Sequence, residues 1–155
     1  MAVENVKIYL QKQGWNREIL MFTHSSATVE LAAEAVGVEP ARIAKTLSFY
    51  TEDKEGAFIV VVAGDKKIDN RKFKESFGMR ARMVSFENVE KMTGHPVGGV
   101  CPFANPDGVE VYLDESLRRF ESVFPAAGSD RSAVELSCGE LERYSHARAW
   151  VDVCK

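Results

Sequence analysis

The segment Thr93 to Phe103, TGHPVGGVCPF, is the most distinctive stretch of the chain, and the rest of the fold is organised around it. It holds three of the eleven glycines and two of the five prolines. Glycine lets another group approach the backbone closely, and proline fixes φ and removes a donor. Residues 98–102 can therefore present bare N–H groups to a ligand from a stiff loop. A purely structural crossover between a helix and a strand explains the segment equally well.

Length and composition indicate a single domain over residues 1–155 that is large enough to bury a core. No apolar run reaches the length of a membrane span, and Glu4 interrupts what would be the apolar part of a signal peptide. The three cysteines, an odd number with spacings of 37 and 16 residues and no CxxC pair, argue against a disulfide framework. We therefore expect a cytoplasmic protein without a membrane partner.

The charge of the chain is uneven. The formal net charge of −3 does not favour a nucleic-acid binder, which usually has a basic excess. Residues 66–82 nevertheless carry seven lysines and arginines against Asp69 and Glu75, a local charge of +5. Such a run can contact phosphates, although a solvated helix face is its more common role.

Capping residues and apolar spacing predict the helices. They are expected at 2–13, 28–37, 69–78, 85–92 and 114–120, with a short helical turn from Pro40 and a capping box at Ser137–Glu140. Strands are expected at 18–22, 46–50, 57–63, 81–85, 109–113, 122–126, 133–136 and 149–153. Short strands mixed with short helices, without strict alternation, indicate the α+β class. We expect a mixed, curved, barrel-like β-sheet surrounded by short helices.

Lys45 is unusual in its strand. With a period of two, Lys45 shares a face with Ile43, Leu47 and Phe49, while Ala44, Thr46 and Ser48 share the other face. Burying an unpaired ammonium is costly. Lys45 either extends its charged end to solvent from the start of the strand or points into a cavity where an anionic ligand compensates its charge.

Other chemistries find less support in the sequence. Cys101 and His95 could act as nucleophile and base, but a six-residue separation within one loop is not a known catalytic signature. The three histidines and three cysteines lack metal-ligand spacing, so we expect no metal site. The chain also lacks the GxSxG, GxxxxGK[ST] and GxGxxG motifs.

Several segments taken together resemble the YbaK/EbsC family, the prolyl-tRNA synthetase-associated editing domains. The matching segments, in chain order, are Thr28–Val38, Ile43–Leu47, Val62–Asp69, Thr93–Gly94 with Gly98–Phe103, and Gly128–Ser129. The combination of Lys45-Thr46-Leu47 with the GGxxPF loop is the most specific of these. The resemblance extends over nearly the whole chain.

This resemblance implies a compact editing-domain fold and an activity on aminoacyl-tRNA. Family members hydrolyse the ester that joins a wrong amino acid to tRNA(Pro), and the reaction is usually described without a protein nucleophile, metal or organic cofactor. By resemblance, Lys45 holds the 3′-terminal adenosine, and Gly98 and Gly99 belong to the loop whose backbone places the ester. The expected partners are the acceptor end of aminoacyl-tRNA and a prolyl-tRNA synthetase. The alternative is a non-catalytic member that binds tRNA ends or nucleotide-like ligands in regulation.

The resemblance also suggests residues for the pocket wall. These are His24, Thr28, Val100, Cys101, Pro102, Phe103, Gly128 and Ser129. Residues 126–133, AAGSDRSA, depart from the glycine-rich or His- or Asp-containing motif of several members. We therefore do not transfer a cysteine or alanine specificity to this chain.

Overall fold

The computed structural model describes residues 2–155 as a mixed α+β fold, and this confirms the expected fold class. The helices are α1 (Ala2–Lys12), α2 (Val29–Val36), α3 (Asn70–Phe77), α4 (Val89–Thr93) and α5 (Cys138–Ser145), with 3-10 turns at Pro40–Arg42 and Glu115–Arg119. The strands are β1 (Leu20–Met21), β2 (Ile43–Tyr50), β3 (Ala57–Ala63), β4 (Glu110–Asp114), β5 (Ser122–Pro125), β6 (Ser132–Ala133), β7 (Leu136–Ser137) and β8 (Ala149–Val151).

Six of these strands form one curled sheet in the order β7-β5-β2-β3-β4-β8. The β2–β3 hairpin is antiparallel, whereas β5 joins β2, and β4 joins β3, in parallel. A two-stranded sheet of β1 and β6 lies beside it. Among residues 2–155, none of the helices combines the length and the apolar character needed to cross a bilayer.

The predicted helix ends are confirmed where local capping decides them. Thr28 caps α2 by accepting a hydrogen bond from the Leu31 amide, and Gly37 ends it with φ at +84°. Asp69 caps α3 by accepting from the amides of Arg71 and Lys72. Ser137 and Glu140 form the expected capping box of α5. Because these signals depend on a few neighbouring residues, the sequence alone reveals them.

Three predicted elements differ from the structure. The strand expected at 81–85 is only an isolated bridge between Met83 and Phe49. The helix expected from Ser85 begins at Val89, because the Ser85 hydroxyl hydrogen-bonds with the hydroxyl of Tyr50 and caps no helix. The strand expected at 133–136 is divided between β6 and β7, because the chain leaves β1 there and joins the edge of β5.

The central strands β2 and β3 are covered on both faces, and every residue of β3 is buried. One face packs on the main core, to which α1 contributes Val6 and Leu10. The other face packs on α3, whose Phe73 ring lies 4.8 Å from the ring of Phe49, centroid to centroid. Leu47 and Phe49 both belong to this second cluster. By the alternation of the strand, Lys45 is therefore on the α3 side of the sheet.

Candidate functional site

One edge of β2 is interrupted by a gap. The parallel strand β5 pairs with β2 only at Ile43 and Ala44. Further along the same edge, the Val84 amide donates to the Ser48 carbonyl at 3.0 Å and the Tyr50 amide donates to the Arg82 carbonyl at 2.8 Å. Residues 45–47 lie between these two partners, and a cavity of about 280 Å³ opens beside them.

Four parts of the chain line this cavity. They are the start of α2 with the residues before it (26–29 and Ala32), the β2 residues 43–47, the loop residues Gly98 and Val100, and residues Phe124, Ala126, Ser132 and Ala133. Most of these side chains are small or apolar, and four of them carry hydroxyl groups, namely Ser26, Thr28, Thr46 and Ser132. Lys45 is the one charged residue among the lining residues that the structure describes.

Lys45 is half-buried at the cavity and lies directly opposite Val62 in β3. The seven ion pairs found within residues 2–155 do not include it. Burial raises the pKa of the Cys154 thiol to about 12, and the Lys45 charge acts on that thiol in the opposite direction. Lys45 therefore lines the cavity and is close enough to Cys154 for its charge to act on that thiol. An ammonium in such a place gains stability from an anionic ligand.

Thr46 presents unused polar groups beside Lys45. Its Oγ1 is buried and has no hydrogen-bond partner in the described part of the chain. Backbone groups in a strand alternate between its two edges, and Ser48 and Tyr50 direct theirs toward residues 82–84. The amide and carbonyl of Thr46 therefore face the same edge, where the cavity takes the place of a partner strand. The site thus offers a cation, a hydroxyl and backbone groups to one ligand.

The glycine loop closes one wall of the cavity. Gly98 lines it with φ at +86°, and a Cβ at this position would lie 3.1 Å from the Cβ of Ala27. Gly99 has a different role, because a Cβ there would lie 2.5 Å from the amide nitrogen of Ser129. Gly99 is thus buried against the Gly128–Ser129 backbone and does not line the cavity. A larger residue at Gly99 would separate these two loops before it filled the pocket.

Cys101 and His95 form a buried cluster behind the loop. The Cys101 Sγ lies 3.4 Å from the His95 Nε2, which is 2.6 Å from the carbonyl oxygen of Phe103. Burial raises the pKa of the Cys101 thiol to about 12 and lowers the pKa of His95. The thiol is fully buried and protonated at neutral pH, whereas nucleophilic attack needs an accessible thiolate. The structure therefore gives no support to a cysteine hydrolase.

The sequence-derived site residues fall into three groups. Lys45, Thr28, Gly98 and Val100 line the cavity. A second group backs the wall or lies in the core behind it, and comprises Gly99, Cys101, Pro102, Phe103, Gly128 and Ser129. His24 is exposed and lines a separate hollow between the β1 region and the outer face of α2.

Sequence reasoning missed three polar residues of the cavity. They are Thr46, Ser26 and Ser132. The Ser26 hydroxyl donates to the carbonyl of Asp130, and the Ser132 hydroxyl donates to the carbonyl of Ser129. Only Thr46 had a usable signal, its position next to Lys45 in a strand. Within residues 2–155 no cluster of three histidine, cysteine or acidic side chains could hold a metal ion.

Comparison with known proteins shows which family and which relatives this chain resembles. A family model described as "Aminoacyl-tRNA editing domain" matches residues 23–144. A relative from Bacillus subtilis (strain 168), named "Uncharacterized protein YwhH", is 50% identical over 157 residues, which cover 100% of this chain and 98% of the relative. A relative from Enterococcus faecalis (strain ATCC 700802 / V583), named "Putative Cys-tRNA(Pro)/Cys-tRNA(Cys) deacylase EbsC", is 30% identical over 115 residues, 74% of this chain and 68% of the relative.

A solved structure resembles the whole chain. It is titled "Crystal structure of a putative trans-editing enzyme for prolyl tRNA synthetase", and it superposes with a TM-score of 0.89 at 29% sequence identity. The match covers 99% of this chain and 97% of the other. The fold and the family match therefore agree over the region that contains the cavity.

Proposed function

Since this chain belongs to the aminoacyl-tRNA editing domain family, we propose that it is a free-standing deacylase, which hydrolyses the ester of a mischarged aminoacyl-tRNA. The membership confirms the resemblance to the YbaK/EbsC domains that Lys45-Thr46-Leu47 and the glycine loop indicated. The observation that carries the proposal is the ammonium of Lys45, which lines the cavity and has no carboxylate partner within residues 2–155.

Lys45 has the role of holding the 3′-terminal adenosine through its phosphate. A charge-assisted hydrogen bond from an ammonium to a phosphate oxygen is stronger than a neutral one. Lys45 lies on the α3 side of β2, and Gly98 and Ala126 line the same cavity. With the adenosine phosphate at Lys45, we assign the ester and the amino acid to the part of the cavity lined by these two residues.

The glycine loop supplies donors for the oxyanion that develops when water attacks the ester. The Gly99 amide already donates to the Pro96 carbonyl at 2.9 Å, so it has another partner. We assign the donor role to the amides of Gly98 and Val100, the two loop residues that line the cavity. The 2′-hydroxyl of the adenosine assists the attack, and no protein nucleophile takes part.

The amino acid removed is small and uncharged. The cavity measures about 280 Å³, and none of its lining residues within residues 2–155 is acidic. A positively charged side chain would find no counter-charge there, and a bulky one would compete for this volume with the terminal adenosine. The similarity to proteins whose names mention tRNA(Pro) or prolyl-tRNA synthetase supports tRNA(Pro) as the carrier.

The test is hydrolysis of tRNA(Pro) charged in turn with alanine, cysteine, serine and proline. We expect multiple-turnover release of one small amino acid and slow release of proline. If tRNA binds and no ester is hydrolysed above the uncatalysed rate, the protein is a non-catalytic member that binds tRNA ends. Lys45 and the loop would serve that second function equally well.

A further inference from the structure

We propose that the segment Arg80–Phe86, here called the rim, binds the single-stranded nucleotides that precede the terminal adenosine. In this assignment Phe86 stacks on a base, and Arg80 and Arg82 contact phosphates. The inference rests on the proposed function, because the cavity must take the last nucleotide for the rim to meet the preceding ones.

The rim begins where the cavity ends. It follows the same edge of β2, through hydrogen bonds that join Arg82 to Tyr50 and Val84 to Ser48. Ser48 is the direct neighbour of Leu47, which lines the cavity. Val84 is buried in a cluster against which Val100 of the glycine loop also packs. A strand of RNA that leaves the cavity along this edge therefore passes over the rim.

The rim carries exposed apolar side chains that no part of residues 2–155 covers. Phe86 is 74% exposed and Met83 is 59% exposed, although Val84 between them is buried. Val97, which precedes the cavity residue Gly98, is 46% exposed. Phe86 is two residues from Val84 and so lies within about 7 Å of it along the chain. Val84 pairs with Ser48, the residue after the cavity-lining Leu47, so a bare phenyl ring this close to Val84 is suitably placed for a base that follows the cavity.

The turn that presents Phe86 is held in place by the Tyr50 hydroxyl. This oxygen accepts from the Ser85 amide at 3.2 Å and from the Asn88 Nδ2 at 2.9 Å, and it also hydrogen-bonds with the Ser85 hydroxyl. Residues on both sides of Phe86 are therefore fixed to β2. A fixed aromatic ring binds with less loss of conformational entropy than a mobile one.

The positive charge of the rim favours RNA as its ligand. Arg80 and Arg82 are exposed, and neither belongs to an ion pair within residues 2–155. By contrast, Arg71 and Lys72 of α3 pair with Glu75 and Asp152. With Glu87 included, the net charge of residues 80–87 is +1. Unpaired cations close to an exposed aromatic ring are typical of surfaces that bind single-stranded nucleic acid.

Binding of an uncharged RNA hairpin that ends in single-stranded CCA tests the rim without catalysis. We expect Phe86→Ala to weaken binding about 10-fold and Phe86→Trp to retain it, because stacking needs an aromatic face. Ile8→Ala is the matched control, since Ile8 is 49% exposed on α1, away from the lining residues. A hairpin without the CCA nucleotides should bind Phe86→Ala and the wild type equally.

Two further measurements separate the rim from the proposed catalysis. Arg82→Gln should reduce the slope of log K against log salt concentration by about 0.7, the value for one phosphate of a single strand. Phe86→Ala should lower kcat/KM on aminoacyl-tRNA about 10-fold and leave hydrolysis of 3′-aminoacyl-adenosine 5′-phosphate unchanged, because that substrate keeps the phosphate for Lys45 and lacks the preceding nucleotides.

Equal affinity of Phe86→Ala and wild type for the CCA hairpin would overturn the inference. The exposed Phe86 ring would then be assigned to contact with a protein partner. Loss of hydrolysis of 3′-aminoacyl-adenosine 5′-phosphate in Phe86→Ala would also overturn it, since the ring would then act on the cavity itself. A wild type that binds the hairpin in a Phe86-dependent way but hydrolyses no ester would support the rim and refute the deacylase.

Discussion

Lys45 lies directly opposite Val62 in the β2–β3 pairing, so the ammonium group rises from an apolar sheet face beside the cavity. The neighbouring residue, Thr46, buries a hydroxyl oxygen that has no partner in the described chain. A buried hydroxyl without a partner thus lies next to a half-buried cation at one point of the sheet edge. The unsatisfied hydroxyl reduces stability unless a ligand satisfies it, and an anionic ligand would compensate the cation, so we interpret the cavity as a binding site.

Replacement of Thr46 by valine should reduce activity without reducing stability. The side chain keeps its shape but loses a buried hydroxyl without a partner, a group that costs about 1–3 kcal/mol when unsatisfied. We expect the free energy of unfolding in urea to remain equal or increase. The deacylation rate should fall about 10-fold, because one hydrogen bond to the substrate is lost. Unchanged turnover would remove Thr46 from the site.

Replacement of Gly99 by alanine should destabilise the protein. The new Cβ would meet the backbone of Gly128 and Ser129 at 2.5–2.8 Å, and backbone cannot rotate away as a side chain can. We expect the free energy of unfolding to fall by about 1–3 kcal/mol. Gly139→Ala is the control, since its Cβ meets nothing closer than 3.9 Å in α5. Similar stability of the two variants would contradict the close contact of the two loops.

Protonation of His95 should weaken the fold in mild acid. Burial lowers the pKa of His95 below its ordinary value of 6.5, and the ring's Nδ1 has no partner among residues 2–155. The unfolded chain therefore binds the proton more readily than the folded one. The free energy of unfolding should thus decrease as the pH falls below 6.5, until the folded-state pKa is reached.

Urea titrations between pH 7.5 and 5 measure this dependence. The His95→Gln variant should lose part of it, whereas His24→Gln, which removes an exposed imidazole, should retain it. An identical pH dependence in wild type and His95→Gln would show that His95 does not contribute.

Replacement of Cys101 by alanine should leave the deacylase active. The thiol is fully buried, its pKa is raised to about 12, and it does not line the cavity. We expect a stability loss of about 1–2 kcal/mol from the missing sulfur contacts and an almost unchanged kcat. Iodoacetamide should modify the half-buried Cys138 of the native protein before Cys101. Inactivation by Cys101→Ala in a folded protein would restore the cysteine-hydrolase interpretation.

Local sequence signals predicted much of the fold. The caps at Thr28, Asp69 and Ser137 lie within a few residues of the amides they bind, so each is visible in a short segment. The alternation of β2 likewise predicts that Lys45 shares a face with Leu47 and Phe49, and these two residues do pack in one cluster.

The cavity depends on contacts between distant residues, and the sequence could not reveal it. It exists because β5 leaves β2 after Ala44 and residues 82–84 join it at Ser48. In the same way, Val100 faces the cavity while its neighbour Cys101 faces the core. Both are apolar residues in one loop, and only the packing around them decides which one a ligand meets.

The most direct test of the central claim is single-turnover deacylation of mischarged tRNA(Pro) by wild type, Lys45→Met and the control Lys7→Met, which removes an exposed lysine from α1. Loss of a hydrogen bond to a charged group costs about 1.5–3 kcal/mol. We therefore predict that Lys45→Met weakens tRNA affinity about 10- to 100-fold, with the free energy of unfolding unchanged or higher, and that Lys7→Met behaves like the wild type. Wild-type affinity and rate in a folded Lys45→Met protein would contradict the assignment of this cavity to the acceptor end.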